Sequence, residues 1–113
     1  MRNTSPTDFS IDVPGVGAFQ FARRTLRDEM RIAAEYSRLT EGVSTPTDYL
    51  ALVAGWLSVL TVLTVSAPDG WDLESMDPLD EETYAKLMQV HSALRDKEGS
   101  FRRKPNQAGA AAG

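Results

Sequence analysis

Chemistry requires side chains that move protons, attack, or hold a ligand, and this sequence offers few in usable spacing. The one histidine, His91, lies on or beside the apolar face of a helical segment, where a packed imidazole is the ordinary occupant. Nothing in the spacing ties a serine to it, so no nucleophile-base-acid arrangement follows. Asp77, Asp80, Glu81 and Glu82 form an acidic cluster. A calcium loop spaces its carboxylates around a glycine and closes on a glutamate, which this cluster does not do. Acidic residues on the first turn of a helix instead complement its dipole. Gly15-Val16-Gly17 lacks the third glycine and following helix of a dinucleotide loop, so it marks a turn. The chain has no cysteine, which removes thiolate metal sites and disulfides. The expectation is a non-enzyme with no cofactor or metal.

Charge argues in the same direction. The 16 acidic and 12 basic residues give a net charge of −4, opposite to what phosphate neutralisation needs. Two short basic groups exist, Arg23/Arg24/Arg27 and Arg102/Arg103/Lys104, and each fits a solvated face. Residues 49–67 carry no charge, yet Gly55, Ser58, Thr61 and Thr64 interrupt the run and no Lys or Arg flanks it closely. It is short for a spanning helix and is expected to be a buried core helix. The two tryptophans divide. Trp56 belongs to this buried run, whereas Trp71, in an irregular acidic stretch, either folds onto the core or anchors a partner.

The elements that would position these residues follow from periodicity. At 113 residues with 42% hydrophobic and 25% charged residues, the composition is that of one ordinary globular domain. The expected organisation is a flexible leader over 1–8, a domain over 9–101 and a flexible tail over 102–113. Phe9, Ile11 and Val13 alternate with polar residues, as do Phe19 and Phe21 across the Pro14–Gly17 turn, which predicts a β-hairpin. A first helix opens at Thr25 with Asp28 in capping-box spacing. Leu26, Met30, Ala33, Ala34 and Ser37 form its expected core stripe, widened by Ile32, Tyr36 and Leu39, with Arg27, Asp28, Arg31, Glu35 and Arg38 on the wet side and Gly42 as the stop. Thr45 or Thr47 caps a second helix over about 48–63, whose β-branched end (59–65) is open to either helix or strand. A third helix starts at Asp77-Pro78, buries Leu79, Thr83, Leu87, Val90 and Leu94, and stops at Gly99. The predicted class is α+β, mostly α: an N-terminal β-hairpin, about three helices and a disordered C-terminal tail.

Three segments, VPGVGAFQFARRTLRDEMRIAAEYSRLTEG (13–42), WLSVLTVLTVSAPDGWDL (56–73) and DPLDEETYAKLMQVHSALRDKEGSFRR (77–103), together resemble tail assembly chaperones of long-tailed bacteriophages and prophages. The likeness lies in the order and pattern of the segments, since that family has no short diagnostic motif. The resemblance implies a protein of the host cytoplasm that coats the tape measure protein, helps recruit tail tube subunits and is absent from the finished virion. It also implies a possible longer frameshifted form and a possible homo-oligomer. Covering a long apolar-striped helix reversibly suits a groove between helices. Met30, Tyr36, Trp71, Tyr84 and Met88 are candidates for such a protein-binding surface, because Met and aromatic side chains make adaptable contacts. Each also fits a core position. The alternatives are another small phage adaptor, or a minor structural protein of the tail or head-tail joint.

Overall fold

The computed structural model describes residues 2–40, 47–73, 75–76 and 80–101. The class is α+β and mostly α, in the order β1 (Phe9–Val13), β2 (Gly17–Phe21), α1 (Leu26–Leu39), α2 (Asp48–Leu63), β3 (Thr64–Ser66) and α3 (Glu81–Phe101). The expected hairpin forms, with Phe9 opposite Phe21 and Ile11 opposite Phe19 in antiparallel register. The segment left open between helix and strand divides at Leu63: α2 runs to that residue, and β3 pairs antiparallel with β2. A bond from the Ala22 amide to the Leu63 carbonyl (2.9 Å) secures the switch. No helix among the described residues is long and apolar enough to cross a membrane.

The core gathers one face of the sheet against α2 and α3. Phe19, Phe21, Leu60, Leu63, Val90 and Leu94 are almost fully enclosed. Alternation along the hairpin places Phe19 and Phe21 on one face, where their rings stack at 5.7 Å. Leu87, Val90 and Leu94 recur at helical spacing and supply the inner stripe of α3. Full burial of each large side chain contributes about 1.5–3 kcal/mol, so this cluster dominates the stability.

Two helix boundaries differ from the sequence expectation. α3 starts at Glu81 rather than at Asp77-Pro78; Asp77, Pro78 and Leu79 lie outside the described residues. Asp80, just ahead of the helix, accepts from the Glu82 amide through Oδ1 (3.2 Å) and from the Thr83 hydroxyl through Oδ2 (3.1 Å). The helix also does not stop at Gly99 but continues to Phe101. Phe101 has its own anchors: its ring meets Phe9 edge-on at 4.9 Å, and the Arg23 guanidinium lies 4.1 Å above it. Those contacts outweigh the ~1 kcal/mol that glycine costs inside a helix. The expected stop Gly42, the Thr45 alternative cap and the expected tail (102–113) lie outside the described residues. Thr47 caps α2, its hydroxyl accepting from the Leu50 amide (3.2 Å).

One glycine is required by close approach. Gly17 opens β2 at φ +139°, and a Cβ there would come within 2.5 Å of Pro68 Cγ. Gly17→Ala is therefore expected to lower the unfolding free energy by about 2 kcal/mol or more, from backbone strain and the clash together. Gly99 has open space around its Cα and helical backbone. Gly99→Ala is expected to raise stability by about 0.5–1 kcal/mol, where a true helix stop would be neutral or worse. Urea denaturation midpoints of both variants check the pair.

Candidate protein-binding surface

The first helix is rotated from the sequence expectation: Ile32, Tyr36 and Leu39 face inward as expected, but the stripe they were to widen does not. Leu26 is 85% exposed and Met30 75%, while Ala33, Ala34 and Ser37 are exposed with them. The side facing the protein carries Asp28, Ile32, Glu35, Tyr36 and Leu39 instead. The reason is local and electrostatic. Thr25 and Asp28 form the anticipated capping box, with the Asp28 amide donating to Thr25 Oγ1 (3.2 Å) and the Thr25 amide to Asp28 Oδ2 (3.1 Å). The same carboxylate receives Arg2 Nη1 at 3.1 Å, and Arg2 also donates to the Val62 carbonyl at 3.0 Å. Asp28, only 2% exposed, thus ties the N-terminal segment, the start of α1 and the end of α2 into one node. Satisfying that buried charge, with Ile32, Tyr36 and Leu39 packed inward, favours the rotation of α1 that leaves Leu26 and Met30 outward.

Burial alone would push the Asp28 carboxyl up. The Thr25 amide and the Arg2 guanidinium outweigh it and hold the carboxyl below its usual range.

A second apolar surface lies where the N-terminal halves of α2 and α3 meet. Tyr49 and Leu52 of α2 are exposed, as is Met88 of α3. The Tyr49 and Tyr84 rings stack at 6.1 Å, Trp56 meets Tyr84 edge-on at 5.2 Å, and His91 lies 6.3 Å from Trp56. Spacings of three and four residues (Tyr49, Leu52, Trp56; Tyr84, Met88, His91) put each set on one side of its helix. The result is a ledge of aromatic and thioether groups backed by the core. Desolvation, then the charges of Arg95 and Arg24, hold His91 below its ordinary value against the opposing pull of Glu98. An imidazole kept neutral here preserves the apolar character of the ledge.

The sequence candidates therefore separate. Tyr84 and Met88 come together on the ledge, Met30 lies on the outward stripe of α1, and Tyr36 is half-buried on the inner flank of that helix. Trp71 takes the core alternative, its ring edge-on to Phe19 at 5.0 Å and its indole Nε1 buried without an acceptor among the described residues. Tyr49 and Leu52 were hidden inside a run that is apolar throughout. Their one sequence signal is position, within about a turn and a half of the Thr47 cap, where a helix end outruns its neighbours.

The basic group Arg23/Arg24/Arg27 is largely occupied. Arg24 grips Glu98 through Nε (3.1 Å) and Nη2 (3.0 Å) and reaches Glu29 (3.0 Å), and Arg23 covers Phe101. Arg102, Arg103 and Lys104 lie outside the described residues. Among the described residues, no three His, Asp or Glu side chains gather in a metal-binding arrangement. Comparison with protein-family models, curated proteins and solved structures gives no match.

The depressed Asp28 value has a definite sign. A carboxylate whose folded pKa lies below its unfolded value of about 3.9 adds stability above that value. The contribution is lost as pH falls through the lower folded value. Asp28→Ala is expected to cost about 2–3 kcal/mol at pH 7, through the lost cap and the unpaired Arg2. The variant should also show a shallower acid-side decline in thermal midpoint than the parent below about pH 4.

Proposed function

We propose that this protein is a tail assembly chaperone of a long-tailed bacteriophage or prophage. In that role it binds the tape measure protein in the host cytoplasm and helps recruit tail tube subunits. Two things support the reading. The first is the resemblance of residues 13–42, 56–73 and 77–103 to that family. The second, which carries it physically, is the ledge of Tyr49, Leu52, Tyr84 and Met88 left open between α2 and α3.

A tape measure protein is a long helix with an apolar stripe that aggregates when bare. Such a stripe needs a partner offering adaptable apolar contact along two or three helical turns. The ledge meets that need, with Met88 able to reshape and the stacked Tyr49–Tyr84 pair giving rigid area at low entropic cost. Exposed apolar side chains of this size, grouped on one surface, are the usual mark of a partner site.

Co-expression of a tape measure fragment with the full chain tests the proposal. The fragment should stay soluble with the parent chain. The double variant Leu52→Asp/Met88→Asp should return it to the pellet, since a charged side chain under a docked apolar stripe costs several kcal/mol. Unchanged solubility with the double variant, at parental thermal stability, would contradict the assignment of the ledge. Failure of the parent chain itself would contradict the function.

A further inference from the structure

We infer that the cleft between the approach to α1 and the end of α3 is a separate binding site, for an acidic segment of a partner protein that presents a carboxylate beside an aromatic side chain. The inference rests neither on the chaperone reading nor on the ledge. Ten residues of α3, about 15 Å of helix, separate Met88 on the ledge from Glu98 in the cleft.

The cleft has a volume of about 290 Å³. That is at the lower end for a small-molecule pocket and suits one or two side chains of a partner. Its apolar wall is Phe9 and Phe101, half-buried and edge-on to each other at 4.9 Å. A ring pair left partly open accepts a further ring in the same offset geometry.

The cations around that wall are unevenly spent. Arg24 is committed: Nε and Nη2 hold Glu98, and Nη1 reaches Glu29. It serves as the frame of the cleft. Arg23 is exposed, and its guanidinium lies 4.1 Å above the Phe101 ring. Among the described residues it has neither a carboxylate partner nor a side-chain hydrogen bond. A guanidinium held over a ring keeps its planar N–H fork available to a carboxylate. Because the ring already restrains the side chain, less rotamer freedom is lost on binding. Arg95 is half-committed. Its Nη1 donates to Glu98 (3.1 Å), while Nε and Nη2 have no acceptor among the described residues. Three guanidiniums thus face two carboxylates that are already engaged, which leaves the cleft positive in a chain of net charge −4. Lys97 Nζ, 5.8 Å from the Phe101 ring, adds to that charge. The group that completes the cleft is an anion, and the ring wall beside it calls for an aromatic neighbour.

A protein carboxylate fits better than a nucleic-acid backbone. A phosphate chain carries a charge at every nucleotide and would run on past Glu29 and Glu98. One carboxylate takes the free fork of Arg23 or Arg95 in two parallel hydrogen bonds and meets neither acid.

NMR titration of the isotope-labelled full chain tests this. The probe is a short peptide carrying Glu-Phe-Glu between Gly-Ser spacers. Its controls are the Lys-Phe-Lys and Glu-Ser-Glu peptides and an oligothymidine of equal charge. The Glu-Phe-Glu peptide should shift the signals of Phe9, Arg23 and Phe101 saturably and leave those of Tyr49, Leu52 and Met88 in place. The Glu-Ser-Glu peptide should bind more weakly and the Lys-Phe-Lys peptide not at all. Arg23→Ala should weaken binding at least about tenfold, with Arg23→Lys in between because it keeps the charge without the fork. Arg23→Ala also loses the Phe101 contact, so Arg95→Ala, which leaves that contact and the Arg24–Glu98 pair intact, is the second variant. It should weaken binding severalfold at the parental thermal midpoint. No saturable shift in the parent, shifts centred on the ledge, equal binding of the Lys-Phe-Lys peptide, or parental affinity in both alanine variants would each overturn the inference. Equal affinity for Glu-Ser-Glu would overturn the aromatic requirement. Tighter binding of the oligothymidine would overturn the protein partner in favour of a nucleic acid.

Discussion

The structure depends on covering α2. Its sequence is apolar on nearly every side, so the helix is stable only when surrounded. The β1–β2 hairpin, α1 and α3 share that task, and β3 follows α2 directly to bind it into the sheet. Its first turns, at Tyr49 and Leu52, reach past the cover. The candidate surface is therefore a consequence of the core: it is the part of the central helix that its neighbours leave open, edged by the start of α3.

The second constraint is the buried charge of Asp28. An enclosed carboxylate is tolerated only when its oxygens are satisfied, and here Thr25, Arg2 and the geometry of the α1 start do so together. The orientation of α1 is thus set by a polar node at its first turn together with the inward packing of Ile32, Tyr36 and Leu39. Leu26 and Met30, which spacing alone assigns to the inner stripe, are displayed instead. Ion pairs elsewhere act as straps: the Arg24–Glu98 pair joins the strand-to-helix connection to the end of α3, beside the Phe9–Phe101–Arg23 stack.

Much of this was legible in the amino-acid order, for identifiable reasons. Period-two alternation gave the hairpin and its inward face, because a strand's sides are fixed by geometry. Thr25 with Asp28, and Thr47 ahead of an apolar run, marked two helix starts, because a cap is a local hydrogen bond. The α3 stripe Leu87, Val90 and Leu94 followed from spacing alone. What sequence could not supply were outcomes of distant contact. The rotation of α1 turns on Arg2, 26 residues away from Asp28. The extension of α3 past Gly99 turns on Phe9. The exposure of Tyr49 and Leu52 depends on where neighbouring helices end, which a uniformly apolar run does not encode. Of the five candidate contact residues, Tyr84 and Met88 reached a common surface because both lie on one helix at four-residue spacing. Trp71 went to the core because Phe19 offers its ring.

The central claim is that the ledge between α2 and α3 is where a helical client docks. Peroxide footprinting read by mass spectrometry addresses it directly, since Met88 sits on the ledge as an exposed thioether. The measurement compares the oxidation rate of Met88 in the dilute full chain with the rate when a tape measure fragment is bound. The account predicts that Met88 oxidises readily in the free protein and is slowed severalfold in the complex. A complex that forms while Met88 oxidises at its free rate would contradict it.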